Sequence, residues 1–108
     1  MFSICTVRRS PPHFSVVPEN VEVTRGGSVN LTCIADGSPL PYVRWRHGAV
    51  ELTPEASIPR GTNVLMLTDI RQSATYTCVA ESELGRTESD VQVSVIGVLY
   101  PAVYLMLA

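Results

Sequence analysis

The sequence contains no lysine: all eight of its basic residues are arginine, set against ten acidic residues for a formal net charge of −2. A balance this close to neutral lacks the basic field that neutralises phosphates, which excludes broad nucleic-acid binding. No Cys-x-x-Cys pair occurs, and His13 and His47 lie far apart and near no cysteine. Metal-ligand spacing is therefore missing, and both histidines are read as surface residues. There is no Gly-x-Ser-x-Gly elbow and no glycine loop able to cradle a phosphate, so neither an acyl-transfer nucleophile nor a nucleotide cofactor is expected. No apolar run reaches the about 20 residues a membrane helix needs. The stretch from Ile96 to Ala108 is apolar apart from the hydroxyls of Tyr100 and Tyr104, but it is short and Pro101 interrupts it. It is read as a fragment end in preference to a membrane anchor. The opening residues, Met1 to Arg9, lack the basic start and long apolar stretch of a signal peptide.

Helical periodicity is also missing. In its place, short runs rich in Val, Thr and Tyr alternate apolar and polar residues between clusters of Gly, Pro, Ser and Asn, the signature of an all-β sandwich or barrel. A first edge strand is expected over His13–Val17, bracketed by Pro11, Pro12 and Pro18, with Val21–Thr24 continuing along the same edge. Gly26-Gly27 makes a turn. Ser28–Ala35 follows, with Val29, Leu31, Cys33 and Ala35 on one face and Asn30 on the other. Tyr42–His47 turns Val43 and Trp45 inward and Arg44 and Arg46 outward. Glu51–Thr62, holding Pro54, Pro59 and Gly61, reads as a loop. Asn63–Leu67 turns Leu65 and Leu67 inward, and Thr75–Ala80 does the same with Tyr76, Cys78 and Ala80. A hairpin turn over Glu81–Arg86 leads to a last strand, Thr87–Val95.

Two of the three cysteines, Cys33 and Cys78, fall 45 positions apart on inward faces. Trp45 follows the first by twelve positions and Tyr76 precedes the second by two. This Cys…Trp…Tyr-x-Cys constellation belongs to the immunoglobulin fold, a two-sheet antiparallel β-sandwich. The cysteines then sit in opposite sheets and bridge the core. The indole packs on the bridge, and the tyrosine hydroxyl is expected to satisfy backbone at the corner between the two strands preceding the last. Asn30-Leu31-Thr32 is an N-glycosylation sequon on an outward face. Beside a disulfide it implies a secretory route. The third cysteine, Cys5, is read as a free thiol or a scar of the fragment end.

Four stretches carry a closer resemblance: Gly26 to Cys33, Pro41 to Trp45, Glu51-Leu52-Thr53, and Ile70 to Ala80. They are similar to the third immunoglobulin domain (I-set type) of the LAR-type receptor protein tyrosine phosphatases. The resemblance runs from about Val7 to Val95. It departs from generic intermediate-set domains at Gln72, where an aspartate is usual, and in a short corner before Tyr76. Residues 1–10 are then the end of a preceding domain or a leader, 11–95 the immunoglobulin domain, and 96–108 a tail of separate origin. That tail does not resemble the family's Pro-rich linker.

The resemblance implies a non-catalytic extracellular module on a single-pass receptor, or a secreted piece of one, serving adhesion, axon guidance and synapse organisation. Phosphatases of this family use a Cys-x5-Arg loop for chemistry. Six positions after Cys5, Cys33 and Cys78 stand Pro11, Pro39 and Leu84, so that loop is absent from this chain. Expected partners are extracellular protein ligands or neighbouring immunoglobulin and fibronectin modules, with no cofactor, metal or nucleic acid. Glu51–Thr62 and Glu81–Arg86 are the loops expected to meet a partner. Arg44, Arg46 and His47 could form a small basic patch with weak affinity for glycosaminoglycan, although a solvated strand face is the plainer reading. Two further readings keep the fold: a structural repeat of a muscle or matrix protein, and a secreted decoy.

Overall fold

A computed structural model describes residues 9–96 as eight strands in two sheets. They are β1 (Ser10–Val16), β2 (Val21–Thr24), β3 (Gly27–Ser38), β4 (Tyr42–His47), β5 (Val50–Glu51), β6 (Thr62–Ile70), β7 (Ala74–Ser82) and β8 (Gly85–Ile96). One sheet has the order β1-β3-β6, the other β2-β8-β7-β4-β5. A single 3₁₀ turn, Glu55–Ser57, lies between β5 and β6. The expected tail from Gly97 and the expected thiol of Cys5 lie outside the described residues.

The alternation of the sequence decides which side of each strand is buried. Val23, Leu31, Cys33, Ala35, Val43, Trp45, Ile70, Cys78, Ala80, Val91 and Val93 form the core, with Leu65, Leu67 and Tyr76 packed against it. Cys33 on β3 and Cys78 on β7 are joined by a disulfide across the sandwich, Cα to Cα 6.7 Å. Trp45 is fully buried beside it, so the largest side chain of the interior fills the space between the sheets. Between β2 and β3 the chain turns through Gly26 at φ +85°, a conformation that penalises any side chain with a Cβ.

The edge differs from its expected course. Val21–Thr24 leaves the sheet of β1 and pairs parallel to β8, Val21 opposite Val93 and Thr24 opposite Ile96. Pro18 has no N–H to extend the ladder of β1. Two residues later the Asn20 Oδ1 accepts the Gln92 backbone N–H at 2.9 Å, which draws the chain onto the other sheet. The segment expected as pure loop is partly ordered by β4. Val43 N–H donates to the Pro59 carbonyl and Gly61 N–H to the Pro41 carbonyl, both at 2.9 Å. This segment follows β4, so among the described residues β6 has no second neighbour in its own sheet.

A charged sheet face and a groove at its end

On the outward face of the five-stranded sheet the strand register sets charges side by side. Arg44 stands opposite Val79, and Arg46 opposite Thr77; on the far side Val79 faces Glu88, Thr77 faces Asp90 and Glu81 faces Arg86. Arg44 donates to Glu81 at 2.8 Å, with Glu51 at 4.0 Å on its other side. Arg46 donates to Glu88 at 2.8 Å, and Arg86 grips the same carboxylate at 2.7 Å. Thr77 Oγ1 donates to Asp90 at 2.8 Å. The aliphatic stems of such arginines can cover apolar surface while their heads reach water. Here Val79 and Thr77, which point outward, are nonetheless buried.

Two cations on one carboxylate shift its chemistry. The hydrogen bond from Arg46, and after it that from Arg86, holds the Glu88 carboxyl below the usual range. The same bond to Glu88 holds the Arg46 guanidinium above its ordinary value. Arg46 Nε is buried and has no hydrogen-bond partner among the described residues.

Arg44, Arg46 and His47 therefore do not make one basic patch. The two arginines are matched by carboxylates. His47 falls on the other side of the two-residue alternation, at the mouth of the sandwich, its ring 5.0 Å from that of Tyr76. Tyr76 itself is half-buried, and among the described residues its hydroxyl makes no hydrogen bond to the backbone of the corner. Only Arg71, Gln72 and Ser73 separate β6 from β7, too short a turn to bring a carbonyl back over the ring. Asn30 is exposed on the outward face of the other sheet, opposite Met66. Leu67 is half-buried against the core.

The two expected recognition loops meet around one groove of about 870 Å³ at the end of the charged face. Leu40 and Tyr42, both about 44% exposed, give it an apolar floor. Glu55 and Ile58 come from the segment before β6, Glu81 from the end of β7 and Glu83 from the turn that leads to β8. Arg60 organises the floor: its guanidinium lies 4.2 Å above the Tyr42 ring, donates to the Tyr42 hydroxyl at 2.8 Å and to the Leu40 carbonyl at 2.9 Å. Gly61 follows at φ +84°, and a Cβ there would stand 3.2 Å from the Leu40 side chain. Arg9 reaches over the hairpin to Glu83 at 2.7 Å. The sequence named both loops, but neither Leu40 nor Arg60, because nothing in a one-dimensional pattern shows that Pro59–Gly61 returns to β4.

Two packed sheets, antiparallel except where β2 joins β8, a cross-sheet disulfide and a buried tryptophan define an immunoglobulin-type sandwich. The chain belongs to the immunoglobulin I-set family: the family described as Immunoglobulin I-set domain matches residues 12–95. It is 62% identical over 89 residues to receptor-type tyrosine-protein phosphatase F of Danio rerio, covering 82% of this chain and 5% of that protein. It is 55% identical over 89 residues to receptor-type tyrosine-protein phosphatase S of Gallus gallus, covering 82% of this chain and 6% of that protein. Tyrosine-protein phosphatase Lar of Drosophila melanogaster is 54% identical over 84 residues, 77% of this chain and 4% of that protein. The chain thus spans only about one-twentieth of the length of these curated relatives. Among solved structures, the tandem Ig repeats of Dlar superpose with a TM-score of 0.69 at 28% identity, over 80% of this chain and 48% of that one. A titin M10–obscurin-like 1 Ig complex gives a TM-score of 0.70 at 27% identity, over 82% of this chain and 96% of that one.

Proposed function

We propose that this chain is the third immunoglobulin domain of a LAR-type receptor phosphatase ectodomain, and that it binds protein ligands outside the cell in adhesion and axon guidance. The observation that carries the reading is the groove over Leu40 and Tyr42. Two separate stretches of the chain converge on it, and Arg60 holds its aromatic floor in place. Half-exposed apolar side chains ringed by charge are the usual composition of a protein-binding patch. The disulfide and the exposed Asn30 sequon support an extracellular location on a single-pass receptor, and we assign Asn30 as the glycan acceptor. The I-set domain itself is non-catalytic. Phosphatase activity in such a receptor would reside in other domains.

The test has two parts. Intact mass of chain secreted from eukaryotic cells, before and after glycan removal and thiol alkylation, should show one glycan at Asn30 and one blocked cysteine pair. Two free core thiols in folded protein would instead favour a structural repeat of the kind suggested by the likeness to titin. An Fc-tagged chain should then label cultured neurons, and Tyr42→Ala with Leu40→Glu should abolish labelling while leaving the unfolding midpoint within a few degrees. Labelling unchanged by the pair of substitutions would place the ligand surface elsewhere.

A further inference from the structure

The three-stranded sheet ends on β6, whose only partner among the described residues is β3. Natural proteins protect such an edge with charge, proline, a bulge or brevity. β6 has none of these over most of its length. It is nine residues long, and from Gly61 to Thr68 the chain carries no charged residue and no proline. Val64 is 43% and Met66 70% exposed on the outward face, and the pairing of Val29 through Ile34 with Leu67 through Thr62 runs without a bulge. A straight, uncharged, apolar edge is self-complementary. An antiparallel copy would oppose no like charges across the two-fold axis, and each N–H and C=O now without a ladder partner would find one.

The position of the sequon is a second, independent observation. Asn30 is the cross-strand partner of Met66, the most exposed large apolar residue described. It stands one strand in from the free edge, so a second copy paired to β6 would run only about 10 Å from its Cα, two strand spacings away. An oligosaccharide on Asn30 would overhang Met66 and occupy that volume.

We infer that the free edge of β6 pairs antiparallel with the same edge of a second copy, forming a six-stranded sheet β1-β3-β6 continued by its mirror order, and that a glycan on Asn30 keeps the chain monomeric. The second half rests on the glycan assigned above; the first does not.

The full chain is made in two forms, secreted from eukaryotic cells and refolded from bacteria with the disulfide formed. The glycan-free chain dimerises in sedimentation velocity, and the Val64 and Met66 amides, which the alternating β3 ladder leaves on the free edge, gain hydrogen-exchange protection as concentration rises. Met66→Lys, which places two like charges near the axis, weakens the dimer at least 10-fold and leaves thermal unfolding unchanged. The secreted chain is monomeric, and Asn30→Gln from the same cells dimerises. A glycan-free chain that stays monomeric up to its solubility limit overturns the edge pairing, as does a dimer indifferent to Met66→Lys. A secreted chain that carries the glycan and still dimerises through β6 overturns the gating. A secreted chain without glycan that dimerises, sensitive to Met66→Lys, refutes the assignment of Asn30 and leaves the edge pairing standing.

Discussion

The backbone carbonyl of Asn63 accepts the indole N–H of Trp45 at 3.1 Å, and the two residues belong to opposite sheets. The Asn63 side chain completes the link: its Nδ2 donates to the Val43 carbonyl at 2.8 Å and to the Thr53 hydroxyl at 3.0 Å. Thr53 Oγ1 also accepts the Trp45 backbone N–H at 3.0 Å. One residue of β6 and one of the loop after β5 thus hold the central tryptophan strand by polar contacts at the margin of an apolar core. Asn63→Ala removes both side-chain bonds and leaves two partners short of a donor. It should cost about 1–3 kcal/mol, read as a lower urea midpoint with an unchanged slope. A loss within error would mean that water replaces the amide.

Removing the bridge by the double substitution Cys33→Ala and Cys78→Ala should cost more. Loop closure over 45 positions and the contacts of the sulfurs together predict about 2–5 kcal/mol. Reversible denaturant unfolding of the oxidised chain and the double variant measures it. Because Trp45 packs beside the bridge, its fluorescence should also change in the native state of the variant.

The turn at Gly26 gives a backbone prediction. With φ at +85°, Gly26→Ala should destabilise by about 1–2 kcal/mol, or roughly 4–8 °C per kcal/mol in the midpoint of a domain this small. Calorimetry would show it. An unchanged midpoint would mean that the turn can relax to a negative φ.

Acid should weaken the charged face in a defined direction. Glu88 is held below the usual carboxylate range by Arg46 and then Arg86, so the folded state binds its proton less readily than the unfolded chain. Its contribution to stability is present above the ordinary carboxylate value, about 4.3, and is lost as pH falls through the depressed folded value. Arg46, raised by the same bond, stays charged throughout. The stability difference between wild type and Glu88→Gln should therefore shrink as pH is lowered through and below that window, followed by urea unfolding at each pH. A difference independent of pH would show that the carboxylate is worth no more charged than neutral.

The sequence revealed most of the sandwich because two signals coincide in it. Alternation at period two identifies which face of each strand is inward, and the spacing of Cys33, Trp45, Tyr76 and Cys78 identifies which strands oppose one another. Tyr42–His47 and Val21–Thr24 keep their expected bounds. The sheet to which Val21–Thr24 belongs was not legible, because pairing across seventy residues of chain leaves no local mark. Outward burial was also hidden: Val79 and Thr77 look like solvent positions until the arginine stems of the neighbouring strand are laid over them. His47 shows the reverse failure, a residue grouped with Arg44 and Arg46 by proximity in sequence and separated from them by one step of the pleat. The groove was visible only as two loops, since its floor depends on Pro59–Gly61 pairing with Pro41–Val43.

The parallel pairing of β2 with β8 carries a mechanical consequence. A pull applied at the two ends of the chain draws these strands in opposite directions along their length, so the four residue pairs from Val21–Val93 to Thr24–Ile96 are loaded together in shear and cannot open one after another like a zip. Should they slip, the bridge between Cys33 and Cys78 still fixes the length of everything between those residues, and tension can extend only the segments outside it. A module built this way transmits force between its two ends with little change of length.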